Sequence, residues 1–282
     1  MSISKILGKL IRVRDLMTKE VIFYTDIIGK DTSFCLERDI ELLPDRDNTY
    51  VWQFDKDSKT FKQRKIAVEE EIPASMNLFD FIKLTKKRNL FFVKEDNKIV
   101  GVIHFCDLIH SDAYTYFYTL MHEFEKLIRQ RLVEKGKNND DFLVWLSRNP
   151  ESSKKINGCK KEIERINLPP FQHLNFCDLL KFANSEGIIK KDCDIFKFSE
   201  VRNEIMHHRD IAGRQDKPES ELLYERRDYD SFLKVYDYLL DYLSKNEFDE
   251  SSVISQAFDG DLFNAMLHWE GDLTKLYAIM EY

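Results

Sequence analysis

The stretch "SEVRNEIMHHRD" at residues 199–210 holds two adjacent histidines, two arginines and an asparagine within a dozen residues. Those types suit phosphodiester chemistry. A histidine exchanges protons near neutral pH, and an arginine stays charged and can fork two N–H bonds onto phosphate oxygens. RNA carries its own nucleophile, the 2′-hydroxyl. A protein acting on it must supply a base for that proton, an acid for the leaving 5′-oxygen and positive charge for the crowded transition state. Arg202, Asn203 and His207 are the candidate catalytic residues, His208 is the alternative to His207, and Arg209 is a candidate phosphate contact. The competing reading is a polar helix face with no chemistry, because most charge runs are solvated surfaces.

Spacing sharpens the question. If Ser199 caps a helix, Arg202 lies in the first turn, where free backbone N–H groups and the helix dipole favour an anion. Asn203 and His207 are four apart and share a face, so the amide can orient the imidazole or touch a substrate. His208 would lie beside Glu204 on another face. Arg202 and His207 are five apart and diverge by about 140° on an ideal helix. One such helix pairs them awkwardly, whereas two helices about a twofold axis would bring Arg and His sets into one cleft. A metal is not needed for this chemistry. The spacing Cys159…His173-x-x-x-Cys177…Cys193 is irregular for a zinc site.

The elements that must position these residues change character along the chain. Up to about residue 112, short β-branched and aromatic runs predict strands at 21–24 ("VIFY"), 50–55 ("YVWQFD"), 90–95 ("LFFVKE") and 99–105 ("IVGVIHF"). The tight polar connection "EDNK" predicts a hairpin between the last two. An amphipathic helix is expected over 76–89, with Leu78, Phe79, Ile82 and Leu84 on one side, and a short helical segment at "CDLIHSD". Beyond 112 the strand signal fades. In 113–135, Phe117, Leu120, Met121, Phe124, Leu127, Ile128 and Leu132 recur every three or four residues, and Glu125 stands four before Arg129. Helices are expected near 140–148, 154–165, 174–186 and 199–210, and a firm one at 231–243. The segment 212–221, with Gly213 and Pro218, reads as a polar loop. The organisation is therefore α+β: an α/β front (1–112), an all-α bundle (113–245) and a helical tail (246–282).

Composition bounds the function. With 282 residues, 43% hydrophobic and 33% charged, the chain is long enough for two modest folded domains. A formal charge of −7 argues against indiscriminate coating of nucleic acid but leaves room for a local basic cleft. Lys154, Lys155, Lys160 and Lys161 form one basic cluster, and Lys190 and Lys191 another. Tyr114, Tyr116 and Tyr118 read as core or interface. The five cysteines are scattered and form no Cys-x-x-Cys pair, which suits reduced thiols. No run reaches membrane-span length and the start lacks a signal-peptide core, so a cytoplasmic protein with no membrane partner is expected.

Two resemblances add to this reading. "VRDLMTKEVIFY" at 13–24 and "MNLFDFIKLTKKRNLFFVKEDNKIVGVIHFCDLI" at 76–109 resemble the two halves of a CBS-domain pair. Such modules often bind adenine nucleotides between paired motifs. Gly101 and Asp107 match the family pattern, while its hydroxyl position is His104. The resemblance implies Asp107 as a ribose ligand, beside the alternative that Asp107 only caps the following helix, and an adenine nucleotide as regulatory ligand. Arg202-Asn203-x-x-x-His207, inside the helical region 113–245, resembles the HEPN superfamily, which includes metal-independent endoribonucleases of toxin and phage-defence systems and members without catalysis. That resemblance implies a homodimer that cuts RNA to a 2′,3′-cyclic phosphate without a cofactor. A non-catalytic nucleotide-sensing or dimerisation adaptor is the alternative.

Overall fold

The computed structural model describes residues 2–28, 33–37, 40–148, 153–166, 170–191, 193–211 and 226–246. They form a mixed α+β structure with ten α-helices and two three-stranded sheets. The chain divides into two compact units, one of Ile6–Ala113 and one of Met1–Lys5 with Tyr114–Tyr282. The expected polar loop at 212–221 and the tail from 247 lie outside the described residues.

In the first unit, α1 (Ile3–Leu10, whose last residues belong here) and α2 (Val13–Leu16) precede a 3-10 turn at Tyr24–Asp26 and α3 (Ser33–Glu37). The strand expected at 21–24 is not there. Asp26 accepts the Phe23 N–H at 3.1 Å, taking a donor that a ladder would need. The apolar side chains are buried by packing instead: Ile22 and Tyr24 lie on the cluster of Cys35, Leu43 and Phe54. The Tyr24 ring stacks on Trp52 with centroids 3.9 Å apart. Trp52 belongs to an antiparallel sheet, β1 (Leu42–Pro44), β2 (Tyr50–Asp55) and β3 (Thr60–Lys65), in that order.

The second sheet is a β-α-β-β unit: β4 (Glu71–Pro73), α4 (Leu78–Thr85), β5 (Leu90–Glu95) and β6 (Lys98–His104). The helix crossover lets β4 run parallel to β5, and the hairpin makes β6 antiparallel. Asp96 and Asn97 at the hairpin tip have φ of 48° and 62°, the left-handed pair that a two-residue turn between twisted strands requires. Phe91, Phe92 and Val93 are all buried, so β5 is covered on both faces. The buried face of α4 is Leu78, Phe81, Ile82 and Thr85; Phe79 and Leu84, expected with them, are half-buried. Asn77 starts this helix by accepting the Asp80 N–H at 2.9 Å. Val51 of the first sheet joins Phe92 and Ile99 of the second in one cluster, and Asn48 accepts the Ile99 N–H at 2.8 Å.

One charged group is sunk in this unit. Glu70, 2% exposed, accepts two bonds from Arg64 (2.6 and 2.8 Å), one from Arg88 (2.6 Å) and one from the Ala67 N–H (2.9 Å). Burial alone would raise its pKa, but those donors and the two guanidinium charges hold it below the usual carboxylate range.

The second unit is helical. Its long α5 (Ser111–Glu134, in this unit from Tyr114) buries all seven apolar residues of the expected stripe. The Glu125–Arg129 pair forms at 2.5 Å. The remaining helices are α6 (Asn139–Ser147), α7 (Ile156–Ile166), α8 (Phe176–Ser185), α9 (Ile195–Ile211) and α10 (Arg226–Lys245). Phe117 packs edge-on against Phe232 of α10 at 4.8 Å, and the Tyr116 and Tyr236 hydroxyls meet at 2.8 Å. Further along α5, Phe124 touches Phe176, Phe198, Tyr238 and Tyr242, gathering α8, α9 and α10. Tyr114 and Tyr116 are core residues. At its N-terminal end this unit also holds Ser4, whose N–H and hydroxyl donate to the two oxygens of buried Glu123 at 3.0 and 2.6 Å.

Candidate functional site

The helix carrying the candidate residues begins four positions earlier than its sequence suggests. Asp194 sits at its start and accepts the Lys197 N–H at 3.0 Å. Ser199 is therefore inside α9, with its hydroxyl oxygen buried and without a hydrogen-bond partner, and it is not the cap. Asp194 supplies an acidic capping residue and buried Phe198 anchors the first turn, so the helix has already started before Ser199. Arg202 consequently lies about two turns in. The field of the free N–H groups fades within the first turn, so the helix dipole does not help Arg202 hold an anion.

What positions Arg202 is the buried stripe Phe198, Val201 and Ile205. Arg202 borders it and is half-buried. Its guanidinium carbon lies 6.0 Å from the centre of the Phe176 ring, at the outer edge of a cation–π contact. Its Nε is buried and has no hydrogen-bond partner. Among the described residues no carboxylate forms an ion pair with it. That is an unusual placement for an arginine, since buried donors are nearly always satisfied.

Asn203 is exposed on the next position of α9. The backbone of His207, His208 and Arg209 continues the same helix, but their side chains lie outside the described residues. The expected Asn203–His207 approach and the Glu204–His208 pair therefore fall outside them too. Because α9 is unbroken from Ile195 to Ile211, the roughly 140° divergence between positions 202 and 207 applies as for an ideal helix. Arg214 is outside the described residues.

The front residues have structural work. Asp107 Oδ2 accepts the His104 N–H at 2.7 Å and so caps the 3-10 turn Phe105–Ile109. Burial raises its pKa, with the His104 N–H opposing. His104 is half-buried, its Nδ1 2.9 Å from the Cys106 sulfur. Gly101 is fixed by a close approach: a Cβ there would stand 2.4 Å from Met17 Sδ and 3.0 Å from the Thr18 carbonyl. That approach lets Thr18 and Val102 exchange backbone bonds at 2.9 and 3.0 Å.

A second constellation joins Cys159 and His173, weighed above only as an irregular metal spacing, to Lys155 of the basic cluster. A recess of about 310 Å³ is lined by Lys155, Gly158, Cys159 and Glu162 from α7 and the turn before it, and by His173, Leu174, Asn175 and Asp178 around the start of α8. Positions 155, 159 and 162 share one helical face. Lys155 Nζ binds both oxygens of buried Asp178 at 2.9 and 2.8 Å. Asn175 caps α8 by accepting the Asp178 N–H at 2.9 Å and donates its amide to the same carboxylate at 2.7 Å. Both ring nitrogens of His173 are buried and unpartnered, while its ring stands edge-on to Phe142 at 6.0 Å. Burial lowers its pKa, with the Glu162 charge opposing, which favours the neutral imidazole. Burial, reinforced by the charge of Asp178, pushes the Cys159 thiol up, away from a nucleophilic thiolate. The further sequence signal is "NFCD" at 175–178, an Asn-x-x-Asp helix start. Among the described residues no three His, Cys, Asp or Glu side chains converge closely enough to hold a metal ion.

No family model matches the chain, and no curated protein or solved structure is detectably similar to it. Among the described residues no helix is long and apolar enough to cross a membrane.

Proposed function

We propose that the helical unit is a metal-independent endoribonuclease of HEPN type, completed by a second copy of the chain. The observation that carries this reading is Arg202: a guanidinium held against Phe176, without an ion-pair partner among the described residues, beside exposed Asn203 and five positions before His207 on an unbroken helix. A cation kept free of carboxylates is the group a phosphodiester needs. In the dimer, one imidazole takes the 2′-hydroxyl proton as O2′ bonds to phosphorus. The symmetry-related imidazolium gives a proton to O5′ as the P–O5′ bond breaks. Arg202 from each copy neutralises the equatorial oxygens, Asn203 orients His207 or the substrate, and Arg209 holds a flanking phosphate. The product is a 2′,3′-cyclic phosphate. His208 replaces His207 if the facing helix approaches from its side. The α/β unit acts as a CBS-like regulatory module, with Asp107 toward the ribose of an adenine nucleotide.

The test is cleavage of labelled RNA in excess EDTA by the full chain and by Arg202→Ala and His207→Ala variants of wild-type helicity. Cleavage by the wild type alone, with cyclic-phosphate ends, supports the reading; equal cutting by all three, or none by any, refutes it. The Arg202–Phe176 contact also suits a purely packing role. It therefore favours, as second reading, a non-catalytic dimerisation adaptor, which the same assay selects if no RNA is cut while sedimentation shows a dimer.

A further inference from the structure

Three features of the recess at the start of α8 bear on what it could hold. Gly158 sits inside a helix, where glycine is unfavourable relative to alanine. Neither backbone nor neighbours require it there: its φ is not in the left-handed region, and an added Cβ would meet nothing within 4 Å. Gly158 is exposed at the rim, with open space beside it. Both ring nitrogens of His173, a donor and an acceptor, are buried at the wall of the recess with no protein partner. The ionic groups are already matched, because the Lys155 charge is taken up by Asp178.

Those features define the occupant. A phosphate would face two carboxylates, Glu162 and Asp178, with one lysine already committed. A neutral, polar group that both donates and accepts hydrogen bonds is the better match to a neutral imidazole and a compensated ion pair. The position supplies the rest. Asn175 lines the recess, and the next residue, Phe176, carries the Arg202 guanidinium. One helix end thus supports both a wall of the recess and the ring beside the guanidinium.

We propose that the recess receives an unpaired RNA base flanking the scissile phosphate, read on its hydrogen-bonding edge by His173, Lys155 and Asp178, and that it sets base preference. Taking up one splayed base is the usual route to sequence-specific recognition of single-stranded RNA. This inference rests on the nuclease reading for its substrate, and it adds a specificity site that the catalytic residues do not contain.

The experiment compares the full-length wild type with Gly158→Ala, which leaves the rim open, Gly158→Phe, which covers it, and Cys159→Leu, which narrows the recess from within. Cut sites are mapped on a mixed-sequence single-stranded RNA, and calorimetry measures binding of the four ribonucleosides. The expected result is a preference for one base beside the cut in the wild type and in Gly158→Ala. It should fall by about tenfold, the worth of one lost hydrogen-bonded contact, in the two filled variants, which still cleave. Cutting without base preference, or with the same preference in all four proteins, overturns the recess proposal and leaves the nuclease reading standing. If the wild type cuts no RNA, the nuclease reading fails and calorimetry decides the recess alone. Nucleoside binding in wild type and Gly158→Ala that is lost in Gly158→Phe and Cys159→Leu upholds a base site; no heat with any nucleoside overturns it.

Discussion

The Tyr116–Tyr236 hydroxyl pair links the two longest helices of the bundle, and its strength can be worked out. Both side chains are buried, with ring centroids 6.2 Å apart and oxygens at 2.8 Å. Burial raises both hydroxyl pKa values, first of all by desolvation, so neither ionises below strongly alkaline pH. Changing Tyr236 alone to Phe removes the partner and strands the Tyr116 hydroxyl in the core. The cost is one lost hydrogen bond plus an unsatisfied polar group, about 1–3 kcal/mol. Tyr116→Phe should cost a similar amount for the same reason. The double variant leaves no orphan, so it should lie close to the wild type, with a coupling of about 1–2 kcal/mol. A chain of two units need not unfold in one step, so the readout is native-state hydrogen exchange of α5 and α10 amides. Each single change should cut protection by about tenfold or more, and the double change by less than either. Strictly additive losses would refute the argument, because they would mean that each hydroxyl acts alone.

The other predictions use the same logic. Glu70→Gln should lower the stability of the α/β unit at pH 7 by about 1.5–3 kcal/mol, since one amide cannot serve two guanidinium groups; urea titration followed by Trp52 fluorescence measures it. Because the folded pKa of Glu70 lies below its ordinary value, its contribution is present above the unfolded carboxylate pKa of about 4.3 and is lost as pH falls through the folded value. The gap between wild type and Glu70→Gln should therefore close in acid, and a gap unchanged from pH 7 to pH 2 would contradict the assignment. Gly101→Val should destabilise the same unit by about 1–3 kcal/mol through overpacking on Met17 and the Thr18 carbonyl, with Met17→Ala restoring part of the loss in a thermal melt. Asn175→Ala should cost about 1 kcal/mol as a lost cap and, by loosening Asp178, should shift the Lys155 resonances in an NMR spectrum.

Legibility followed the strength of periodicity. Helix α5 and α10 were visible because their apolar residues recur at helical spacing over many turns, and β5 and β6 because a buried hairpin needs continuous apolar runs with a two-residue polar tip. Strand β3 was invisible: "TFKQRK" is largely exposed, and its place is set by backbone pairing with β2. Strands β1 and β4 have three residues each, too few for a pattern. The 21–24 run looked like a strand because aromatic and β-branched residues also suit a packed irregular segment. In the candidate site, residue types and helix context could be read, but the start of α9 could not. Ser199 and Asp194 are both plausible caps in isolation, and only the packing of Phe198 decides between them. The recess at α8 was hidden because Lys155 and Asp178 are 23 positions apart, and charge pairing at that distance leaves no local mark.

Ser4 belongs with the bundle, which has a practical bearing on dissecting the chain. A fragment expressed from Tyr114 onward would carry Glu123 into its interior stripped of the serine donors that now cradle it, and the carboxyl would have to stay protonated or be left bare. Bundle fragments intended for nuclease assays should therefore either be co-expressed with a peptide spanning the first ten residues or carry glutamine at position 123. Failure of a bare fragment would report on that missing peptide rather than on the chemistry of α9.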